Sequence, residues 1–261
     1  MRNTLSAFYY GHTIDDTNNL LDFKEGVGSE LTAELNIGEY TLTDFASEVA
    51  RALNDTLGSS FTYAVTVNRT TRIITITATG GSFTLLASTG SHKEVGPWSL
   101  LGFSSDTSSA TSHAASSASG FSWRPQFVAQ DWVDFEDQQS AVDGVKRESA
   151  SGIVEAISFG NKKIMDIRFM FITDKPMVTG SVFQNDTSGV SNARDFLEYA
   201  VTKADLEFIP DRDHPETFTK CILESTPDNK DGLGFKLNEM YARGLPGYYE
   251  TGILKFRKVD T

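Results

Sequence analysis

The feature that most constrains the fold of this chain is an amphipathic helical stripe that leads directly into β-strand patterns. Apolar residues recur every three or four positions over residues 42–57, which is the spacing of one helix face. Thr43 is the predicted N-cap and Gly58 the predicted stop. The stripe is formed by Leu42, Phe45, Ala46, Val49, Ala50, Leu53 and Leu57.

Strand patterns lie on both sides of this helix. Residues 61–67, 72–78 and 82–86 are rich in β-branched and aromatic residues, so we expect a meander of three antiparallel strands. An earlier strand is predicted at 31–37, where apolar residues occupy every second position. The first half is therefore predicted to be an α+β module in which one helix covers one small sheet.

A stretch rich in Ser, Ala and Thr, residues 104–122, separates the two halves of the chain. Its ordinary interpretation is a flexible linker, and the alternative is an arm that becomes ordered on a neighbouring subunit. We accordingly divide the chain into a module at 1–104, a linker or arm at 105–125 and a β-rich unit at 126–261.

The second half is predicted to be a β-barrel or sandwich with one helix packed on it. In the strand predicted at 163–172, one face is apolar throughout and should point into a core. The strand before it is expected to join it through Gly160. The chain as a whole is therefore predicted to be α+β and rich in strands. The predicted strands cover 127–135, 152–159, 163–172, 205–209, 217–225 and 252–259, and the helix covers 191–204.

Charge and apolar content exclude several classes of function. The formal net charge of −12 would repel nucleic-acid phosphates, so no specific nucleic-acid binding is expected. No apolar run approaches the roughly 20 residues of a membrane helix, and the first ten residues lack a signal-peptide core. The single cysteine, Cys221, forms no intrachain disulfide and is interpreted as a buried small hydrophobe. We expect synthesis in a reducing cytosol without membrane insertion.

No group of residues indicates catalysis, a metal or a cofactor. The four histidines lie far apart in the sequence. The turn at 211–214 offers oxygen and nitrogen ligands, but a solvated charged turn is its ordinary interpretation. The acidic loop at 227–238 fails the spacing of an EF-hand at its first and last positions. We therefore predict no catalytic, metal-binding or cofactor-binding residue, and no enzyme.

Several leucine and aromatic residues are candidates for contacts with other subunits. Some of the aromatic residues, with Trp98 and Trp132, could instead form a surface on which a sugar stacks, although core packing is a more ordinary role. The subunit-contact candidates are Leu100, Leu101, Phe103, Phe121, Trp123, Tyr248 and Tyr249.

Four segments of the first half follow one another in a distinctive order: 22–33, 40–54, the hairpin at 68–76, and Thr89-Gly90-Ser91 followed by Ser99-Leu100-Leu101-Gly102-Phe103. Together they resemble a module that recurs in structural proteins of tailed bacteriophages. Four segments of the second half are 152–160, 193–200, 207–211 and 247–259. They resemble parts of distal tail proteins of long-tailed phages, which form a ring from a barrel and a helix.

This resemblance implies a non-enzymatic structural subunit of a phage tail. Such a subunit would form a homo-oligomeric ring, a hexamer, at the distal tail or baseplate. Its partners would be copies of itself, the tail tube and the tail-tip hub, and its location would be the virion after assembly in the host cytoplasm. The alternative is a virion-surface binding module, at the tail tip or on the head, that recognises a host glycan.

Overall fold

Six β-sheets and three α-helices make up the described part of the chain, which is an α+β protein rich in strands, as predicted. The computed structural model describes residues 6–124, 136–141, 144–148, 154–158, 161–169, 193–225, 238–239, 244 and 248–259. The helices are α1 (Leu42–Asp55), α2 (Trp98–Leu101) and α3 (Ala193–Val201), with a 3-10 turn at Lys93–Val95.

The strands are short throughout. Those of the first half are β1 (Ala7–Tyr10), β2 (His12–Ile14), β3 (Leu20–Glu25), β4 (Glu30–Glu34), β5 (Gly38–Tyr40), β6 (Thr62–Asn68), β7 (Ile73–Thr79), β8 (Phe83–Leu85), β9 (Ser112–Ala114) and β10 (Phe121–Trp123). Those of the second half are β11 (Glu136–Ala141), β12 (Gly144–Glu148), β13 (Val154–Ser158), β14 (Asn161–Arg168), β15 (Leu206–Ile209), β16 (Thr219–Ser225), β17 (Asn238–Glu239), β18 (Tyr249–Glu250) and β19 (Ile253–Lys258).

Helix α1 forms where the apolar stripe predicts it, but its N-cap is Thr41 and not the predicted Thr43. The Thr41 hydroxyl accepts a hydrogen bond from the backbone N–H of Asp44 at 3.3 Å, which satisfies one free donor of the first turn. The helix ends at Asp55, so Leu57, the last residue of the predicted stripe, is exposed. The buried residues of α1 are Leu42, Phe45, Ala46, Glu48, Val49, Ala52 and Leu53.

The first half forms three small sheets and not the single sheet that was predicted. β6 and β7 form the predicted hairpin, but the prediction that β8 extends it as a meander is wrong. β8 pairs with β3, where Leu85 lies opposite Phe23, and β9 takes the free edge of β7. Phe83 and Leu85 are completely buried, so β8 is a core strand placed where its side chains are covered.

The Ser-, Ala- and Thr-rich stretch contains two strands that pair with their own chain. β9 pairs with β7, with His113 opposite Ile76, and β10 pairs with β1, with Trp123 opposite Phe8. The stretch therefore leads from the first-half hairpin into the largest sheet. The division of the chain at 104 and 125 stays a prediction.

The largest sheet has seven antiparallel strands in the order β10-β1-β15-β16-β19-β14-β11. β1 comes from the start of the chain and lies between β10 and β15, so both halves contribute to this sheet. In the described residues its outer strands, β10 and β11, do not pair with each other, so the closed barrel of the prediction is not found.

β13 and β14 lie where strands were predicted, but they do not pair with each other. β13 pairs with β12, whereas β14 lies between β11 and β19. The apolar face predicted for β14 is confirmed by the burial of Met165, Ile167 and the following Phe169. Phe171, Trp132, the strand prediction at 127–135 and the predicted caps of α3 fall outside the described residues.

Helix α3 covers one face of the large sheet. Phe196 is fully buried and stacks on Trp123 of β10, with ring centroids 4.6 Å apart. Phe8 of β1 lies 4.7 Å from the Phe196 ring and 5.4 Å from that of Phe256 on β19. Burying an aromatic side chain of this kind stabilises a fold by about 1.5–3 kcal/mol. No helix in the described ranges has the length and apolar character needed to cross a membrane.

Candidate interaction surface and the buried junction behind it

A buried ion pair joins the first-half hairpin to the large sheet. Glu207 on β15 is fully buried, and its Oε2 lies 2.5 Å from Nη2 of Arg69, which follows β6. Its Oε1 accepts a hydrogen bond at 3.3 Å from the backbone N–H of Thr43 in the first turn of α1. The carboxylate therefore connects a sheet, a hairpin and a helix.

The other two side-chain nitrogens of Arg69 also donate hydrogen bonds. Its Nε donates to the carbonyl of Pro215 at 2.6 Å, and its Nη1 donates to the Thr43 hydroxyl at 2.8 Å. The guanidinium lies 3.8 Å from the ring centroid of Phe218, within the range of a cation–π contact. A buried charge is costly unless it is paired and hydrogen-bonded, and these contacts compensate the charge of Arg69. They also hold the hairpin turn on the sheet.

An apolar seam surrounds the ion pair. Ala7 and Tyr9 of β1 face it from the side of the sheet opposite α3, together with Leu42 and Ile209. The Tyr9 hydroxyl donates to the carbonyl of Arg69 at 2.9 Å, and burial raises the pKa of this phenol. The junction thus combines apolar packing with a satisfied charge pair.

A second buried cation lies three residues along the turn. Arg72 is nearly fully buried in the left-handed backbone region, and its Nη1 donates to the carbonyls of Ser119 and Gly120 at 3.2 and 3.0 Å. Beside it, Nε2 of the fully buried His12 lies 3.0 Å from the Ser119 hydroxyl. Burial, and next the charge of Arg72, lower the pKa of His12 to about 3. His12 is therefore neutral across the physiological range.

Thr70 and Thr71, between these two arginines, form one wall of a surface groove with a volume of about 840 Å³. Its apolar lining comes from Ile73, Leu100, Ala118 and Phe121, and its other lining residues are Ser, Thr and Gly. The groove is therefore uncharged, with apolar side chains and hydroxyl groups on its walls.

Two local arrangements position the apolar side chains of the groove. In α2, Trp98 and Leu101 turn into the core, Leu100 is half-buried and packs against that core, and Gly102 ends the helix in the left-handed conformation. Phe121 is 46 % exposed and lies against Gly11, where an added Cβ would sit 2.5 Å from Cδ2 of the ring. Phe121 is therefore exposed at the groove, whereas Leu100 contributes only the part of its side chain that the core leaves uncovered.

Three of the predicted subunit-contact residues are interior. Leu101 and Phe103 are buried in the core of the first half, and Trp123 in the core of the large sheet. Packing within the chain accounts for them, so they offer no surface to another subunit. Trp98, which was considered for a sugar-stacking surface, is buried as well.

The other four candidates lie at or near the surface. Leu100 and Phe121, twenty-one residues apart in the sequence, line the same groove. Tyr248 and Tyr249 are half-buried, and Tyr249 packs against the core of the large sheet. The structure therefore brings together one pair of the predicted residues.

One cluster of metal-ligand types, which the sequence did not indicate, is used for loop attachment. Ligand atoms of Asp22, Glu30 and His92 lie within 4.8 Å of one another. The buried Asp22 carboxylate accepts hydrogen bonds from the Thr32 hydroxyl at 2.7 Å and the His92 backbone N–H at 2.5 Å. The Glu30 carboxylate accepts one from the backbone N–H of Ser91 at 2.8 Å. Through these bonds, the cluster attaches the loop before α2 to β3 and β4.

Two other sequence features have the properties predicted for them. Cys221 is fully buried, and burial raises the pKa of its thiol, as expected for a small hydrophobe in a strand. The turn at 211–214 is solvated at Asp213 and His214, whose Nδ1 lies 3.1 Å from Oε1 of Glu216. Within the turn, the backbone N–H of Asp213 donates to Oδ1 of Asp211 at 3.1 Å.

Comparison of the chain with models of known protein families gave no match, and comparison with curated protein sequences gave none either.

Proposed function

We propose that this chain is a structural subunit of a phage tail, and not an enzyme, and that it assembles with copies of itself into a ring. The observation that carries the proposal is the groove, where Leu100 and Phe121 present apolar surface among hydroxyl groups. Interfaces between subunits have this composition, with an apolar centre and a polar surround. The resemblance to tail proteins is the reason for proposing that this ring is a hexamer at the distal tail or baseplate.

The buried contacts around the Arg69–Glu207 pair support the same proposal. A ring subunit must hold its contact surfaces at fixed angles, because small errors in angle prevent closure. The Arg69–Glu207 pair and the shared strand β1 attach the groove wall to the large sheet. In the proposed particle, the ring joins the tail tube to the tail-tip hub in the virion, after assembly in the host cytoplasm.

The proposal is tested by the oligomeric state. We expect mass photometry and electron microscopy of the purified chain, over a concentration series, to show closed rings. Phe121→Asp should remove the rings while leaving the circular dichroism spectrum unchanged, because Phe121 is half-exposed. Val259→Asp, at an exposed residue after β19, is the matched control and should form rings. A chain that stays monomeric at every concentration would refute the proposal.

A further inference from the structure

We infer that Asp22, Glu30 and His92 form a binding site for one divalent transition-metal ion of the zinc type. Asp22 belongs to β3, Glu30 to β4 and His92 to the loop before α2, so a bound ion would join these three elements. The inference goes beyond the proposed function and does not depend on it, because it uses neither the groove nor the assembly of the chain.

Asp22 supplies a buried carboxylate that calls for positive charge. Its side chain is fully buried, and Oδ1 accepts a hydrogen bond from the Thr32 hydroxyl at 2.7 Å. Among the described residues its one ion-pair partner is His92, whose Nδ1 lies 3.0 Å from Oδ1. Because a buried carboxylate is costly unless it is compensated, a cation beside Asp22 stabilises the fold.

The surroundings of Nδ1 of His92 consist of oxygen atoms that cannot donate to it. The Ser91 hydroxyl oxygen lies 3.2 Å away and the Thr32 hydroxyl oxygen 3.4 Å away. The Ser91 hydroxyl donates its hydrogen to Glu30, and the Thr32 hydroxyl donates its hydrogen to Asp22. Since a hydroxyl has one hydrogen, both oxygens turn lone pairs toward Nδ1. The middle of the cluster is therefore a position for positive charge, either the Nδ1 proton or a metal ion that replaces it.

The spacing of the ligand atoms suits a single small ion. Zinc–nitrogen and zinc–oxygen bonds are about 2.0–2.2 Å long, so two ligands of one tetrahedral ion lie roughly 3.3 Å apart. The 3.0 Å between Nδ1 of His92 and Oδ1 of Asp22 is close to this value, and all three ligand atoms lie within 4.8 Å of one another. The Glu30 side chain is exposed, so it can shift to close the set around an ion.

Backbone contacts hold two of the ligands in place before any ion binds. The backbone N–H of His92 donates to Oδ2 of Asp22 at 2.5 Å, and that of Ser91 donates to Oε1 of Glu30 at 2.8 Å. At Gly90, an added Cβ would lie 2.6 Å from Oδ2 of Asp22, so glycine permits this close approach of the loop. Hydrogen bonds that orient the ligands are a regular part of metal sites, and their loss weakens metal affinity.

The donor set favours a transition metal over Mg²⁺ and Ca²⁺. Imidazole nitrogen is a good ligand for zinc and its neighbours, whereas Mg²⁺ and Ca²⁺ take oxygen ligands at higher coordination numbers. Three protein ligands leave one position of a tetrahedral zinc ion to water, and the His92 side chain is 42 % exposed, so water can reach it. The ion would fasten the loop before α2 to β3 and β4.

Isothermal titration calorimetry of the untagged, chelator-treated chain with ZnCl₂ tests the inference. We expect one Zn²⁺ per chain, which an excess of Mg²⁺ or Ca²⁺ does not displace. His92→Gln and Glu30→Gln should each weaken binding by about tenfold or more. His214→Gln is the matched control and should bind like the wild type. Nδ1 of His214 lies 3.1 Å from a Glu216 carboxylate oxygen, but no third ligand completes a cluster there in the described ranges.

Hydrogen exchange supplies a second measurement. Zinc should slow exchange at the Ser91 and His92 amides of the wild type, because it holds their acceptors Glu30 and Asp22 in place, and should have no such effect in His92→Gln. Circular dichroism checks that the variants fold. A wild-type chain that binds no zinc, zinc binding that His92→Gln and Glu30→Gln leave unchanged, or equal affinity for Mg²⁺ would each overturn the inference. None of these outcomes bears on ring formation, so the proposed function is tested separately.

Discussion

Replacing Arg69 by methionine tests whether the buried ion pair holds the two halves together. The substitution keeps most of the side-chain length. It leaves the fully buried carboxylate of Glu207 without its cation. Removing one partner of a buried pair destabilises a protein by about 3–5 kcal/mol. Loss of the cation–π contact with Phe218 adds about 0.5–2 kcal/mol. The total is a large part of the roughly 5–15 kcal/mol that stabilises a domain.

A double-mutant cycle isolates the pair itself. Glu207→Gln alone leaves Arg69 facing a neutral amide, and Arg69→Met with Glu207→Gln removes both charges. Because the double variant buries no unpaired charge, it should be more stable than Arg69→Met, with a coupling energy of about 1–3 kcal/mol. A purely additive result would mean that the two groups do not interact in the folded state.

Urea unfolding, followed by tryptophan fluorescence and by circular dichroism, measures these differences. Asp213→Asn is the control, because Asp213 is 82 % exposed and its nearest charge, Arg212, lies 3.8 Å away. We expect a change below about 0.5 kcal/mol for the control. If Arg69→Met unfolds at the same urea concentration as the control, the junction is not held in the way we describe.

Three further predictions concern other buried or strained positions. The pKa of His12 is about 6.5 in the unfolded chain and about 3 in the folded one. The free energy of unfolding should therefore decrease as the pH falls below about 6.5, by about 2 kcal/mol at pH 5. Urea unfolding at a series of pH values should show a weaker pH dependence for His12→Gln. Gly11→Ala should cost more than Gly26→Ala in thermal unfolding, by about 1–3 kcal/mol, because both have positive φ but only an added Cβ at Gly11 meets Phe121. Glu25→Ala should destabilise the chain by about 1–3 kcal/mol, and hydrogen exchange should increase at the Ser60 and Phe61 amides that it binds.

Local periodicity was sufficient to predict α1, α3 and strands such as β14, but not the pairing of the strands or the two strands of the Ser-rich stretch. The stripes of α1 and α3 and the apolar face of β14 depend only on residue spacing, and the structure buries them as the spacing requires. Strand pairing depends on which edge is free after the whole chain has folded. β8 follows β7 closely in sequence, yet β9 takes the edge of β7 and β8 joins β3. No pattern inside β8 carries that information.

Only part of the groove and of the buried contacts behind it could be predicted from the sequence, because these too depend on contacts between distant residues. Leu100 and Phe121 were among seven predicted subunit-contact residues, three of which the structure places in the interior. Arg69 and Glu207 are separated by 138 residues, and in the sequence each is one charged residue among many. His12 likewise carries no signal, because its burial beside Arg72 and Ser119 results from contacts across the chain.

The junction and the groove depend on the same turn. Thr70 and Thr71 form a wall of the groove, and the residues on either side of them, Arg69 and Arg72, are anchored in the interior by hydrogen bonds to Glu207 and to the carbonyl of Gly120. The geometry of the surface is therefore set by buried polar contacts with both the large sheet and the Ser-rich stretch. Because an arginine anchored in the interior lies on each side of the Thr70–Thr71 wall, a change at either arginine should alter the shape of the groove as well as the stability of the fold.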